Sequence, residues 1–261
     1  MMNKIEKKIS LFDKQKDQLR IKIKDTDDIK ILDEVFDIAT LKILYEFANK
    51  GIIKEMVGPV STGKEANIFH AIGSERELAI KIYRISTSNF REMQNYLIGD
   101  PRFSNIRHTK KDIVFAWTKK ELRNLKRAYE AGVRVPKPII AHKNVLVMEF
   151  IGKDGIPMPQ LKDVELDKTQ RKKIFNKIIE YIKLLYQNAK LVHSDLSEYN
   201  ILYTNKNEYP IVFIDMGQSL TTDHYHAEEF LIRDIKNMVR FFNKQGIEYS
   251  EDKIIKEVRS K

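Results

Sequence analysis

The segment His193-Ser194-Asp195-Leu196-Ser197-Glu198-Tyr199-Asn200 sets an aspartate five residues ahead of an asparagine in a polar stretch. Asp195 has the chemistry to accept or orient the proton of an attacking hydroxyl. Asn200, a short loop away, offers an amide oxygen to a hard cation such as Mg2+. Fifteen residues on, the apolar run Ile211-Val212-Phe213-Ile214 ends in Asp215-Met216-Gly217. A carboxylate at the end of a buried strand is costly unless it is paired or bound to a metal. Gly217 reads as the residue that lets the backbone turn there. Taken singly, the first pattern is an ordinary polar loop and the second an aspartate capping a turn. Taken together they supply an acid–base residue and two metal ligands, the set that phosphoryl transfer needs.

Two further elements fit that chemistry. Lys81 lies inside the apolar strand Leu78-Ala79-Ile80-Lys81-Ile82-Tyr83. It either snorkels from an edge strand or pairs with an anion. Glu121 offers a partner, because Trp117-Thr118-Lys119-Lys120-Glu121 contains no other acid; its plain alternative is an exposed helix residue. A Lys–Glu pair would hold the lysine against nucleotide phosphates. Gly58-Pro59-Val60-Ser61-Thr62-Gly63-Lys64-Glu65 nearly matches the phosphate-loop pattern G-x-x-x-x-G-K-[ST]. Glu65, however, stands where a metal-binding hydroxyl belongs, and Ala66 to Ala71 reads as a strand rather than a helix. A hairpin over the phosphates fits better, with Ser61, Thr62, Gly63 and Lys64 facing them; an ordinary surface turn is the plain alternative.

The elements that must position these residues follow from hydrophobic period and turn signals. A marginal helix is expected over 3–24, a linker over 25–30 and a helix from Leu32 to Asn49 stopped by Gly51. Several short strands follow, with turns at Gly58-Pro59 and Gly73-Ser74. Residues 84–111, with six basic side chains, read as a mobile loop in which Ser104 or Thr109 is a candidate autophosphorylation site. A helix resumes near Ala116 and ends at Gly132. Strands are expected at Ile139-Ile140 and Val145–Met148, a boundary at Gly152 to Pro159, a long amphipathic helix from Ile174 to Ala189, and two closing helices near Ala227–Phe242 and Asp252–Val258. The domain division that results is 1–50, 51–151 and 152–261.

The chain has 261 residues, 42% of them apolar, and no cysteine, which excludes disulfides and thiolate chemistry. No apolar run approaches the roughly 20 residues of a membrane helix, and the polar start lacks a signal core. A cytoplasmic protein without membrane or DNA partners is therefore expected. The net charge of +10 suits a polyanion such as RNA, and equally a lysine-rich soluble surface.

In their order along the chain, these segments resemble the RIO family of atypical serine protein kinases, closest to its type-one subfamily. The resemblance rests on Ser61-Thr62-Gly63-Lys64-Glu65-Ala66-Asn67, the Lys81 strand, the Trp117–Leu125 helix start, Met148-Glu149-Phe150-Ile151-Gly152, His193–Asn200, Ile214-Asp215-Met216-Gly217-Gln218-Ser219 and Phe230-Leu231-Ile232-Arg233-Asp234. It covers about residues 35–245. It implies an α+β, two-lobed, protein-kinase-like fold with a strand-rich N-lobe and a mainly helical, trimmed C-lobe. It further implies ATP and Mg2+ as cofactors, with Mn2+ as an alternative ion. Lys81 and Glu121 would then be the phosphate-holding pair, Glu149 and Ile151 the adenine-binding hinge, Asp195 the catalytic acid–base residue, and Asn200 and Asp215 the metal ligands. Asp215 is also a candidate phosphate acceptor in an ATPase cycle. The implied partner is the small-subunit pre-ribosomal particle and its RNA. Ser194 replaces the catalytic-loop arginine of ordinary protein kinases and no Ala-Pro-Glu motif follows Asp215, so the usual peptide platform is not expected. Two other readings remain: a non-catalytic RNA-binding scaffold of kinase-like shape, and a P-loop NTPase using Gly58–Lys64, which requires a helix after Lys64.

Overall fold

The computed structural model of the chain describes residues 37–85, 88–103 and 109–260. The expected helix at 3–24, the linker at 25–30, the start of the next helix at Leu32, and Ser104 fall outside those residues. The described chain divides into two compact units. One runs to Asn89 and resumes over Ile139–Pro157; the other takes Phe90–Pro138 and everything from Met158 onward.

In the first unit, helix α1 (Ile38–Asn49) is capped by Asp37, whose carboxylate accepts the Thr40 N–H at 2.7 Å. The helix ends at Gly51, which takes the left-handed conformation expected of it. Leu41, Ile43, Leu44 and Phe47 of α1 join Phe69, Ile80, Ile82 and Val147 in one buried cluster. Those last four come from a five-stranded sheet ordered β1-β2-β3-β5-β4. Its strands are β1 (Ile53–Thr62), β2 (Ala66–Gly73), β3 (Glu77–Tyr83), β4 (Pro138–His142) and β5 (Val145–Glu149). Asn144 ties helix to sheet by donating to Thr40 Oγ1 and to the Tyr83 carbonyl, each at 3.1 Å. Gly58-Pro59 is not a turn. Both residues lie within β1, where register shifts at Met56/Gly58 and Pro59/Ser61 mark bulges that absorb the proline. After β5 the chain makes a small hairpin, β6 (Gly152–Lys153) with β7 (Ile156–Pro157).

The second unit is mainly helical. The segment expected to be loop carries helix α2 (Phe90–Leu97) and a 3-10 turn at Pro101–Phe103, because Met93 and Leu97 give α2 an apolar edge that is buried. Helix α3 (Lys110–Glu130) begins six residues ahead of the expected start at Ala116. Thr109 caps it, accepting from the Asp112 N–H at 3.2 Å and donating to the Asp112 carboxylate at 2.6 Å. Helix α4 (Lys168–Leu184) opens on an Asp167/Gln170 capping box and closes in a π-helical turn, Leu185–Ala189. Two short antiparallel ribbons follow. They pair β8 (Leu191–Val192) with β11 (Leu220–Thr221), and β9 (Ile201–Tyr203) with β10 (Ile211–Phe213). Helices α5 (Ala227–Asn243) and α6 (Glu251–Arg259) end the unit. Rings build its core: Phe175 meets Phe242 edge-on at 5.3 Å, and Tyr181 meets Phe213 at 5.5 Å.

The units interleave in sequence, unlike the consecutive division expected at residue 152. The reason is α3, which packs on α2 and on the π-helical turn of the second unit although it precedes β4 and β5 of the first.

Candidate active site

In the first unit, β1 and β2 form the hairpin expected over residues 61–67. Gly63 donates its N–H to the Ala66 carbonyl at 3.0 Å and lies 3.2 Å from the Asn67 amide oxygen. A Cβ on Gly63 would stand 2.9 Å from that carbonyl, so only glycine closes the turn so tightly. Ser61, Thr62, Gly63 and Lys64 are all exposed at its tip. A strand, not a helix, follows Lys64, which removes the P-loop reading.

Lys81 sits in the middle of β3, opposite Ile68 on β2 and Leu146 on β5, with its ammonium 5.1 Å from the Tyr83 ring. It is therefore in an interior strand rather than snorkelling from an edge. Glu149 ends β5 opposite Leu78, and Ile151 is buried two residues on. The hairpin beyond them is tied back by Glu77. Its carboxylate accepts the N–H groups of Asp154 at 3.1 Å and Gly155 at 2.9 Å, and His70 Nε2 lies 2.7 Å away. Burial works to raise the Glu77 carboxyl, but those N–H groups and His70 outweigh it and hold it below the usual range.

The second unit brings Asp195, Asn200 and Asp215 together. Between β8 and β9 the chain is strapped to helix α5. The two oxygens of buried Asp234 accept the N–H groups of Ser194 at 2.8 Å and Leu196 at 2.9 Å. Arg233 donates to the Ser194 carbonyl, and Asn237 to the Leu196 carbonyl at 3.2 Å. Asp195 stands between the two strapped residues, and Ser194 is bent into the left-handed region at φ 68. The Asn200 amide nitrogen donates to the Asp195 carbonyl at 2.8 Å and to its carboxylate at 3.2 Å. The residue ahead of Asp215 is fastened as well. His193 Nε2 lies 3.0 Å from the Ile214 carbonyl, and the Ile214 N–H donates to the Asn200 carbonyl at 3.0 Å. Glu121 is buried on α3 of this unit.

Two expectations about Asp215 change. Its carboxylate is exposed rather than walled in by the strand. The bend belongs to Asp215 itself, at φ 60, and not to Gly217. Gly217 is needed for a different reason: a Cβ there would press on Trp117 Nε1 at 3.1 Å.

Burial raises the Asp195 carboxyl, and the nearby Asp215 charge raises it further, against the Asn200 amide and Arg233. Asp234 is pushed up to about 7 by burial, against its two backbone donors. His193 is depressed to about 4 by burial and is neutral, so Nε2 carries the proton shared with Ile214. Two neighbouring carboxylates beside an amide oxygen make an all-oxygen donor set that fits a hard cation. Among the described residues no three or more His, Asp or Glu side chains converge as a metal cage. Mg2+ commonly keeps several waters and substrate phosphates among its ligands, so a site with two protein oxygens can take it.

The strap from α5 escaped the sequence reading, although a signal existed. Asp234 falls on the same helical face as Leu231, Ile235 and Met238, a carboxylate at a core position.

A RIO domain family model matches residues 67–254. The RIO-type serine/threonine-protein kinase Rio1 of Haloferax volcanii is 45% identical over 93% of this chain and 82% of its own length. That of Methanocaldococcus jannaschii is 41% identical over 95% and 83%. Human serine/threonine-protein kinase RIO1 is 39% identical over 95% of this chain, which spans only 43% of the human protein. The fold is that of the crystal structure of the Rio2 kinase–ADP/Mg2+–phosphoaspartate complex from Chaetomium thermophilum, with a TM-score of 0.64 over 97% of this chain and 76% of that one, at 20% identity. With a family model spanning most of the chain and two Rio1 kinases aligned over more than nine-tenths of it, this chain belongs to the RIO family of atypical serine/threonine-protein kinases, as a member of the Rio1 type.

Proposed function

We propose that the chain transfers the γ-phosphoryl group of MgATP to a protein hydroxyl at the Asp195–Asn200–Asp215 site, and that it serves maturation of the small ribosomal subunit in the cytoplasm. The observation that carries the chemistry is the double strap on Asp195: Asp234 holds the N–H groups on both sides of it while Asn200 steadies its carboxylate. In that place Asp195 takes the proton of the acceptor hydroxyl as its oxygen bonds to the γ-phosphorus and the bond to the β–γ bridging oxygen breaks, releasing ADP. Asn200 and Asp215 hold Mg2+, or Mn2+ in its stead, which neutralises phosphate charge when bound. Ser61, Thr62, Gly63 and Lys64 cradle phosphates, Lys81 with Glu121 orients them, and the backbone at Glu149 and Ile151 receives adenine. The charge of +10 supports a pre-ribosomal RNA partner.

The exposure of Asp215 supports a second acceptor on the same site, the Asp215 carboxylate itself, with hydrolysis of the acyl phosphate completing an ATPase cycle. Incubation with γ-labelled ATP followed by acid and hydroxylamine treatment separates the two. Acid-stable label marks serine or threonine; hydroxylamine-labile label absent from Asp215→Asn marks the aspartyl route. A protein that takes up no label and releases no phosphate would contradict both.

A further inference from the structure

Helix α3 carries two fully buried polar side chains one turn apart, Lys120 and Asn124. Lys120 Nζ donates to the carbonyl of Gly217 at 2.6 Å and to that of Ser219 at 2.7 Å. The Asn124 amide nitrogen donates to the carbonyls of Met216 and Ser219, each at 2.9 Å. Its amide oxygen accepts from Arg102 at 3.0 Å, and Arg102 is held by Asp100 with Nη2 to Oδ2 at 2.6 Å and Nε to Oδ1 at 2.9 Å. Three of the four carbonyls that follow Asp215 are thus received by two side chains of one helix. Ahead of Asp215, Ile214 is fastened on both its N–H and its carbonyl. Asp215 is the single residue between two fastened stretches, and it bears the left-handed bend.

An ammonium group this deep is expensive to desolvate, and burial draws Lys120 down to about 7. The Trp117 ring lies 5.1 Å and the Tyr96 ring 5.9 Å from it, and Arg102, Asp100 and Glu121 also act on its charge. An apolar residue would fill the same space without that penalty but would leave buried carbonyls unpaired. A buried lysine directed at a loop backbone is the arrangement expected where the shape of that loop matters.

We propose that Lys120 and Asn124 are positioning residues that mould the loop after Asp215, so that helix α3 sets how tightly Asp215 and Asn200 hold the cation. The inference rests on the metal reading given above. It also gives Glu121 a fixed relation to the metal loop, since its chain neighbour Lys120 is the clamp.

The test uses the full chain with Lys120→Met and Asn124→Leu, each read in two ways. Hydrogen exchange of the peptide spanning 214–221 without nucleotide reports the clamp, whatever the chain's activity. The Mg2+ dependence of ATP turnover reports its consequence. Exchange at 214–221 is expected to quicken about tenfold while helix α4 (Lys168–Leu184) keeps its protection. The Mg2+ needed for half-maximal turnover is expected to rise roughly 10–100-fold, while kcat at saturating Mg2+ stays within about threefold of wild type. Unchanged exchange overturns the clamp. Faster exchange with unaltered Mg2+ dependence overturns the positioning role and leaves a packing contact. Wild type without any turnover removes the kinase reading and the metal role with it, and that outcome is distinct from the other two. If Lys120→Met does not fold, Asn124→Leu alone carries the same two readouts.

Discussion

At the scale of single residues, the account turns on Asp195. Its spacing to Asn200 is local, so the pair was legible in the sequence, and the structure joins the two at 3.2 Å. The environment that tunes Asp195 is not local. Burial and the charge of Asp215, twenty residues on, raise its carboxyl above the ordinary 3.8. A base must be ionised to work, so kcat/KM for phosphoryl transfer is expected to rise with pH through a midpoint above 3.8. A midpoint at or below that value would mean that neither burial nor the Asp215 charge raises Asp195. Sequence alone points to Gly217 for the bend, since glycine is the residue that most freely turns the backbone. Aspartate also tolerates the left-handed region, and Gly217 is held instead by its closeness to Trp117, a contact between distant stretches of sequence that no local pattern reveals.

At the scale of elements, the strands and long helices followed from hydrophobic period: β3, β5, α4 and α5 fall where alternation or an apolar stripe placed them. Helix α2 was missed because Phe90–Leu97 is short and largely polar, and only its packing partners make it a helix. The two loops of the site are clasped through His193, a link between elements that bears on stability. The unfolded chain takes up a proton at this histidine near 6.5, whereas the folded one refuses it until about 4. The stabilisation is therefore complete above 6.5 and is lost as pH falls through that window, a contribution of about 3 kcal/mol. Urea unfolding of wild type and His193→Gln at several pH values should show the wild-type advantage shrinking by about that amount between neutral pH and pH 4. A difference that stays constant with pH would mean that His193 is already charged in the folded chain.

At the scale of the whole molecule, composition bounded the class but not the interleaving of the two units, since the path of α3 depends on partners it meets in space rather than on any linker. Among the described residues no helix is long and apolar enough to cross a membrane. The charge of +10 leads to a further expectation: affinity for a small-subunit ribosomal RNA fragment should fall by roughly tenfold or more as salt is raised from about 50 to about 200 mM. Absence of binding at the lower salt would remove RNA as a partner. The central claim is nevertheless catalytic, and its most direct measurement is Mg2+-dependent ATP turnover by wild type, Asp195→Ala and Asp215→Asn. The account predicts turnover by wild type and a loss of at least about a hundredfold in kcat/KM for each variant. Variants that match wild type, or a wild type that neither binds nor turns over ATP, would contradict it and leave a basic, kinase-shaped scaffold.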